Sequence, residues 1–345
     1  MQRMKKMKAG RKKMKKIVNF FAVIMLLSGF LILAKPYLRE WQLERENDRI
    51  IKEFTKKAGH NSGTGNSSGE SSDDNRERGT DGEDTGSSAE GNTDGDGTGE
   101  NISMSDRLYE KMQEYNKKIF EENQSGLRDA FSYTTSSFDF SVYGIMDDVA
   151  GYIMIEKIGV TMALYIGSSK KNMSRGATIM NQTSMPIGGA NTNCVIAAHR
   201  SRGFLAEIEQ LEPGDEIKIT NHWQTLSYKV VKIIVIEPYD TDKIKIIPGQ
   251  DIVTLLTCHP YGKNTSRYVV YCTRNNAGET NSDEAGIEPQ SITAEELPDG
   301  MEYESSEKSI KNEEIIRICG MILTGIFLII YLLMSVSGKK SADTA

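Results

Sequence analysis

At 345 residues, with 38% hydrophobic and 26% charged, the chain has room for one or two domains, but its apolar residues are gathered into a few blocks, which excludes one evenly packed globule. The formal charge of −6 comes largely from acidic tracts that lack apolar residues, and it argues against nucleic-acid binding. One moderate folded core is expected.

Residues 1–16, MQRMKKMKAGRKKMKK, carry many Lys and Arg and no acid, as a cytoplasmic basic tail does. Residues 17–34 form an apolar run long enough to cross a bilayer as a helix. No small-x-small cleavage site precedes Lys35-Pro36, so an uncleaved anchor is favoured over a signal peptide. In the juxtamembrane segment 35–58, Leu38, Trp41, Leu43, Ile50 and Phe54 lie among charges, which suits a helix rising off the membrane. Residues 59–101, rich in Gly, Ser, Thr, Asn, Asp and Glu, cannot bury enough surface to offset their chain entropy and read as a disordered acidic linker.

In the segment 102–148, Met104, Leu108, Met112, Tyr115 and Ile119 predict a helix, and a polar, aromatic stretch without clear period follows it. From 149 to 275 strand-like runs dominate: Gly151 to Ile155, Val160 to Ile166, Cys194 to Ala198, Glu216 to Thr220, Ser227 to Ile236, Ile252 to Leu256 and Tyr268 to Cys272. One helical pattern, Phe204, Leu205, Ile208 and Leu211, interrupts them. Many short strands with few helices point to a mainly β fold, a closed or nearly closed barrel. Residues 276–314 read as a second acidic linker, and 315–336 as a second transmembrane helix, apolar on all sides, with Lys339 and Lys340 in a cytoplasmic tail, 337–345. Both ends inside would place the barrel outside the cell, on a two-pass membrane protein. Gly320 and Gly325 read as ordinary membrane-helix glycines.

Chemistry concentrates at DIVTLLTCHPYGKNTSRYVVYCTR, Asp251 to Arg274. Cys258 ends one strand, just before the breakers Pro260, Gly262 and Asn264, and Arg267 begins the next. A fixed cation across from a thiol favours the nucleophilic thiolate. The four histidines leave a short search for a base. His60 lies in the tether and His222 in a turn where exposure is expected, while His259 should point away from Cys258 because neighbours on a strand face opposite ways. His199, in VIAAHRSRG, ends an apolar strand as Cys258 does, and the two share a rim if those strands run side by side.

The pieces CVIAAHR, TLLTC and the PYGKNTSR loop ending in Arg267 resemble the sortases, cysteine transpeptidases of the Gram-positive cell surface. Two anchors, an extended N-terminal segment and the sequences GYIMIEKIGV, MPIGGANTNCVIAAHR and TLLTCHPYGKNTSR are similar to the pilin-polymerising class C. The resemblance implies a closed eight-stranded barrel with short helices, with Cys258 as nucleophile, His199 as acid and base, and Arg267 as oxyanion or substrate partner. It also implies a lid in which Asp129 and Phe131 enter the site, although Ala130 stands where the class carries proline, leaving the backbone freer. The partners implied are LPxTG-like sorting signals of pilin or surface proteins, and a pilin lysine or a peptidoglycan amine as acceptor. A sortase that anchors single proteins to the wall and an inactive surface scaffold are the alternatives. No ligand cluster for zinc or calcium is evident, so no cofactor or metal is expected. Cys194 and Cys272 read as small buried hydrophobes, with a disulfide between them left open, and Cys319 starts the second membrane helix.

Overall fold

The computed structural model describes residues 2–61, 104–134, 138–143, 148–275 and 292–343. The expected linker 59–101 lies outside them beyond Asn61, as does the start of the second linker, 276–291.

The chain opens with helix α1, Gln2–Asn61, which passes through Pro36 without interruption. Helix α2, Met104–Glu121, buries Leu108, Met112 and Ile119 as their spacing predicts. The strands follow: β1 Val149–Ile155, β2 Val160–Ile166, then the single-turn helix α3, Lys170–Met173, β3 Ala177–Ile179 and β4 Thr192–Ala197. β5 Glu216–Thr220, β6 Thr225–Ile236, β7 Asp251–His259 and β8 Ser266–Arg274 complete them, and helix α4, Glu307–Asp343, ends the chain. The eight strands close into a barrel in the order β1-β2-β3-β4-β7-β8-β6-β5, with β2–β3 and β4–β7 parallel and the remaining pairs antiparallel. The closed eight-stranded fold is therefore as expected.

Differences from expectation are local. β3 is three residues long and gave no periodic signal. The helical pattern at Phe204 to Leu211 yields only a 3-10 turn at Ile208–Gln210, its apolar side chains buried from irregular backbone. Half-buried His222, expected to be exposed, packs against Phe54 at 4.6 Å between ring centroids.

Alternation along the strands explains what covers what. Ile153, Ile155, Met162, Leu164, Val253, Leu255 and Val270 meet in the main core, while their neighbours face outward. On the β2 side Ala163 and Tyr165 lie beneath Ile50 and Phe54 of α1, and the Asn47 side chain accepts a hydrogen bond from the Ala163 N–H at 3.0 Å. On the β4–β7–β8 side the outward residues Val195, Ala197, Ile252, Leu256, Val269 and Tyr271 form a second core with Ala130, Leu127 and Phe131, and with Ile292 and Leu297 from the C-terminal side. This double burial is why β7 reads as a continuous apolar run. Gly151 fits a close approach, since a Cβ there would stand 2.0 Å from the Thr220 carbonyl oxygen.

Residues 292–306 differ from the linker expected of them. Ile292, Leu297 and Ser306 are buried, Met301 N–H bonds the Val235 carbonyl at 2.9 Å, and Lys232 reaches the Leu297 carbonyl and Asp299 at 2.8 Å each. The segment is a strap on the barrel. It leads into α4, which packs beside α1, with Gly320 against Leu33. Asn19–Lys56 and Glu307–Tyr331 are long and apolar enough to cross a membrane, and their apolar windows are not covered by protein.

Candidate active site

The site stands where β4, β7 and β8 run side by side. Cys258 and Arg267 are direct partners across the antiparallel β7–β8 pair. β4 and β7 are parallel, matched from Thr192↔Asp251 to Ala197↔Leu256, and the ladder continues through Ala198 N–H to the Leu256 carbonyl at 3.2 Å and the Thr257 hydroxyl to the Ala198 carbonyl at 2.7 Å. His199 and Cys258 thus leave neighbouring parallel strands at one rim. They also share a face: counting by twos, Val195 and Ala197, Ile252 and Leu256, and Val269 and Tyr271 belong to the second core, and His199, Cys258 and Arg267 continue these rows. His259 falls in the other row, against Tyr268 and Tyr303, away from the sulfur.

The segment before β1 lies over this face. The Arg267 guanidinium donates to both carboxylate oxygens of Asp129, Nε to Oδ1 at 2.7 Å and Nη2 to Oδ2 at 2.8 Å, and two further bonds reach the carbonyls of Asn264 and Ser266. Phe131 sits between the other two sides of the site, its ring 4.8 Å from the guanidinium carbon and 5.8 Å from the His199 ring. Ala130 is buried, and the backbone at 130–132 makes one 3-10 turn closed by Tyr133 in the left-handed region. The turn forms without a proline. Beneath it Cys258 and Arg267 are each only 7% exposed.

Electrostatics follow from this cover. Burial pushes the Cys258 thiol up to about 11; Arg267 and Arg200 pull it down, and the Asp129 carboxylate works against them. His199 is held below its ordinary value by burial and by the positive charge of Arg39 on α1. Burial opposes the charge on Arg267, and Asp129 more than restores it. Both shifts favour the neutral thiol and the neutral imidazole.

A buried network behind the site had no sequence signal beyond the adjacency of Arg200 to His199 and of His259 to Cys258. Glu209 accepts from Arg200 Nη2 at 2.5 Å through one oxygen, and through the other from the Ser305 hydroxyl and the Ser306 N–H at 2.7 and 2.8 Å. Arg200 Nη1 also meets His259 Nδ1 at 2.8 Å. The residues flanking the site are thereby pinned to the strap.

The two strand cysteines do not meet. Cys194 and Cys272 both pair with Val253, from opposite sides of β7, so two ladder spacings of roughly 10 Å in total separate them. A disulfide needs Cα atoms within about 7 Å, and all four cysteines are free thiols. Among the described residues no group of side chains could hold a metal ion.

Residues 153–275 match the family model described as the sortase domain. Over half of its length the chain is 30% identical to Group B Streptococcus Pilus Island 1 Sortase C2, covering 97% of that chain with a TM-score of 0.46. The chain belongs to the sortase family. A second solved relative, sortase C from Clostridium perfringens SM101, is 32% identical with 90% of its chain covered and a TM-score of 0.43. Among curated sortases, Sortase D of Bacillus subtilis is 24% identical over 125 residues and Sortase A of Bacillus anthracis 28% over 127 residues; in each case the match takes in 35% of this chain. These matches span 62% and 58% of those relatives' lengths. The sortase-domain match contains His199, Cys258 and Arg267 and begins after the turn at 130–132, so Asp129 and Phe131 stand outside it.

Proposed function

We propose that the protein is a two-pass, membrane-anchored class C sortase that polymerises pili. Its tails, 1–16 and 337–345, lie in the cytoplasm, and its barrel, 149–275, lies outside the cell. Cys258 passes its proton to His199 and attacks the carbonyl carbon of an LPxTG-like sorting signal; the C–N bond breaks, the released amine takes that proton from His199, and the acyl group stays on sulfur. A neutral pilin lysine then gives up a proton to His199 and attacks the thioester; the C–S bond breaks and the departing sulfur takes that proton back as the free thiol. Arg267 donates to the oxyanion in both steps. One observation carries this reading: a thiol, a guanidinium and an imidazole from three adjoining strands occupy a single face.

Asp129 and Phe131 act as a lid in this reading. Asp129 holds the donors that the oxyanion would need, and Phe131 fills the space between Arg267 and His199, so substrate must displace both. Attachment of single proteins to peptidoglycan uses the same three residues and differs in the amine accepted.

The test is the full-length chain in detergent, incubated with an LPxTG-type peptide and followed by intact mass. An acyl adduct lost in Cys258→Ala and more abundant in Asp129→Ala is expected, and competing pilin-derived lysine peptides with peptidoglycan-type amines decides the acceptor. Absence of any adduct on folded Asp129→Ala protein would remove the transpeptidase reading.

A further inference from the structure

Where α1 and α4 leave the barrel they enclose a cleft of about 250 Å³ on the side of Ser201 and Arg202. Its walls are drawn from 35–39, which directly follow the apolar run of α1, and from 310–317, where that of α4 begins. In a chain anchored by both helices this cleft lies at the level of the lipid headgroups.

Its charges do not balance locally. Arg202 bonds Glu40 at 2.7 Å and Glu314 at 2.9 Å, and Arg317 pairs with Glu313, so those carboxylates are already engaged. Lys35 and Arg39 line the same cleft, and among the described residues neither has an ion-pair partner. The Tyr37 hydroxyl lies between them in sequence, buried and without a hydrogen-bond partner, while the Arg202 guanidinium covers its ring at 4.7 Å. A buried hydroxyl is normally satisfied, and two unpaired cations beside it make an acceptor with negative charge the fitting complement.

From this juxtaposition we propose that the cleft is a binding site for the headgroup of an anionic phospholipid, with Lys35 and Arg39 on the phosphate and the Tyr37 hydroxyl donating to it. The proposal rests on the membrane-anchored reading of α1 and α4. It also joins the bilayer to the catalytic face, because Arg39 is the cation whose charge reaches His199.

Native mass spectrometry of the full-length chain in nonionic detergent, titrated with phosphatidylglycerol, phosphatidylcholine or inorganic phosphate, tests it. One phosphatidylglycerol should be retained with a preference over phosphatidylcholine on the order of tenfold, from two basic side chains near one negative charge. The preference should vanish in Lys35→Gln/Arg39→Gln and weaken in Tyr37→Phe, with circular dichroism unchanged. Equal retention of the two lipids, a preference that survives the double variant, or inorganic phosphate binding that displaces the lipid would overturn it. Alkaline extraction of membranes separates the premise: a chain washed into the supernatant fails the anchoring reading, while one that stays in the membrane without the lipid preference fails only this site.

Discussion

Arg267 faces Cys258 across the β7–β8 pair and yet spends its planar donor fork on Asp129, in two parallel bonds of 2.7 and 2.8 Å. A carboxylate therefore occupies the guanidinium donors beside the thiol. The same carboxylate disfavours the thiolate that those donors would stabilise.

Asp129→Ala should release both effects. The Cys258 titration midpoint should fall from about 11, since a negative charge near the thiolate is removed and solvent gains access. Each unit of decrease raises the thiolate fraction near pH 8 about tenfold, and the iodoacetamide alkylation rate should follow it. An unchanged rate would mean that the lid does not control the thiol.

On the proposed mechanism, Arg267→Ala should slow acyl transfer severely while sparing the barrel. Loss of an oxyanion donor costs about 10²–10³ in turnover. Arg267→Lys should recover little, because an ammonium cannot reproduce the bidentate geometry. Single-turnover acylation monitored by mass, with a thermal melt on the same samples, checks both.

Stability should fall on acidification. His199 and His259 both titrate below the ordinary histidine value in the fold, so the unfolded chain binds more protons in the interval just below about 6.5. Unfolding free energy should rise with pH through that interval and level off above it. His259→Gln should flatten the slope, as denaturant melts at a series of pH values would record.

Glu209→Ala should be among the more damaging substitutions outside the face that carries Cys258. It leaves the wholly buried Arg200 side chain without its carboxylate and releases the strap at Ser305 and Ser306. Breaking a buried pair from one side costs about 3–5 kcal/mol. Urea unfolding should show that loss, together with earlier proteolysis near 292–306.

Non-reducing mass analysis of unfolded chain treated with N-ethylmaleimide should find four modified cysteines, because β7 separates Cys194 from Cys272. Fewer than four would contradict the strand register.

Much of this arrangement was legible in the sequence because it depends on alternation and on strand ends. β2 and β5 have the bounds their residues suggest, and the rejection of His259 followed from its parity with Cys258. β3 escaped notice because three residues carry no period. The strap was read as linker because its apolar anchors, Ile292, Leu297 and the ring of Tyr303, follow no period, and its other ties run through backbone groups, hydroxyls and Asp299, which have no sequence pattern either. Glu209 was hidden for a related reason: its partners lie 9 and 96 residues away and meet it only in the closed barrel.

The order of the strands also governs when reactivity can appear. Cys258 meets Arg267 within the local β7–β8 hairpin, but β7 comes beside His199 only by its parallel pairing with β4, and Arg267 reaches Asp129 across 138 residues of chain. Such non-local closures come late in folding and at high entropic cost. A chain whose barrel has not closed therefore displays the cysteine without its imidazole, and the full set comes into being only with Asp129 at hand to cover it.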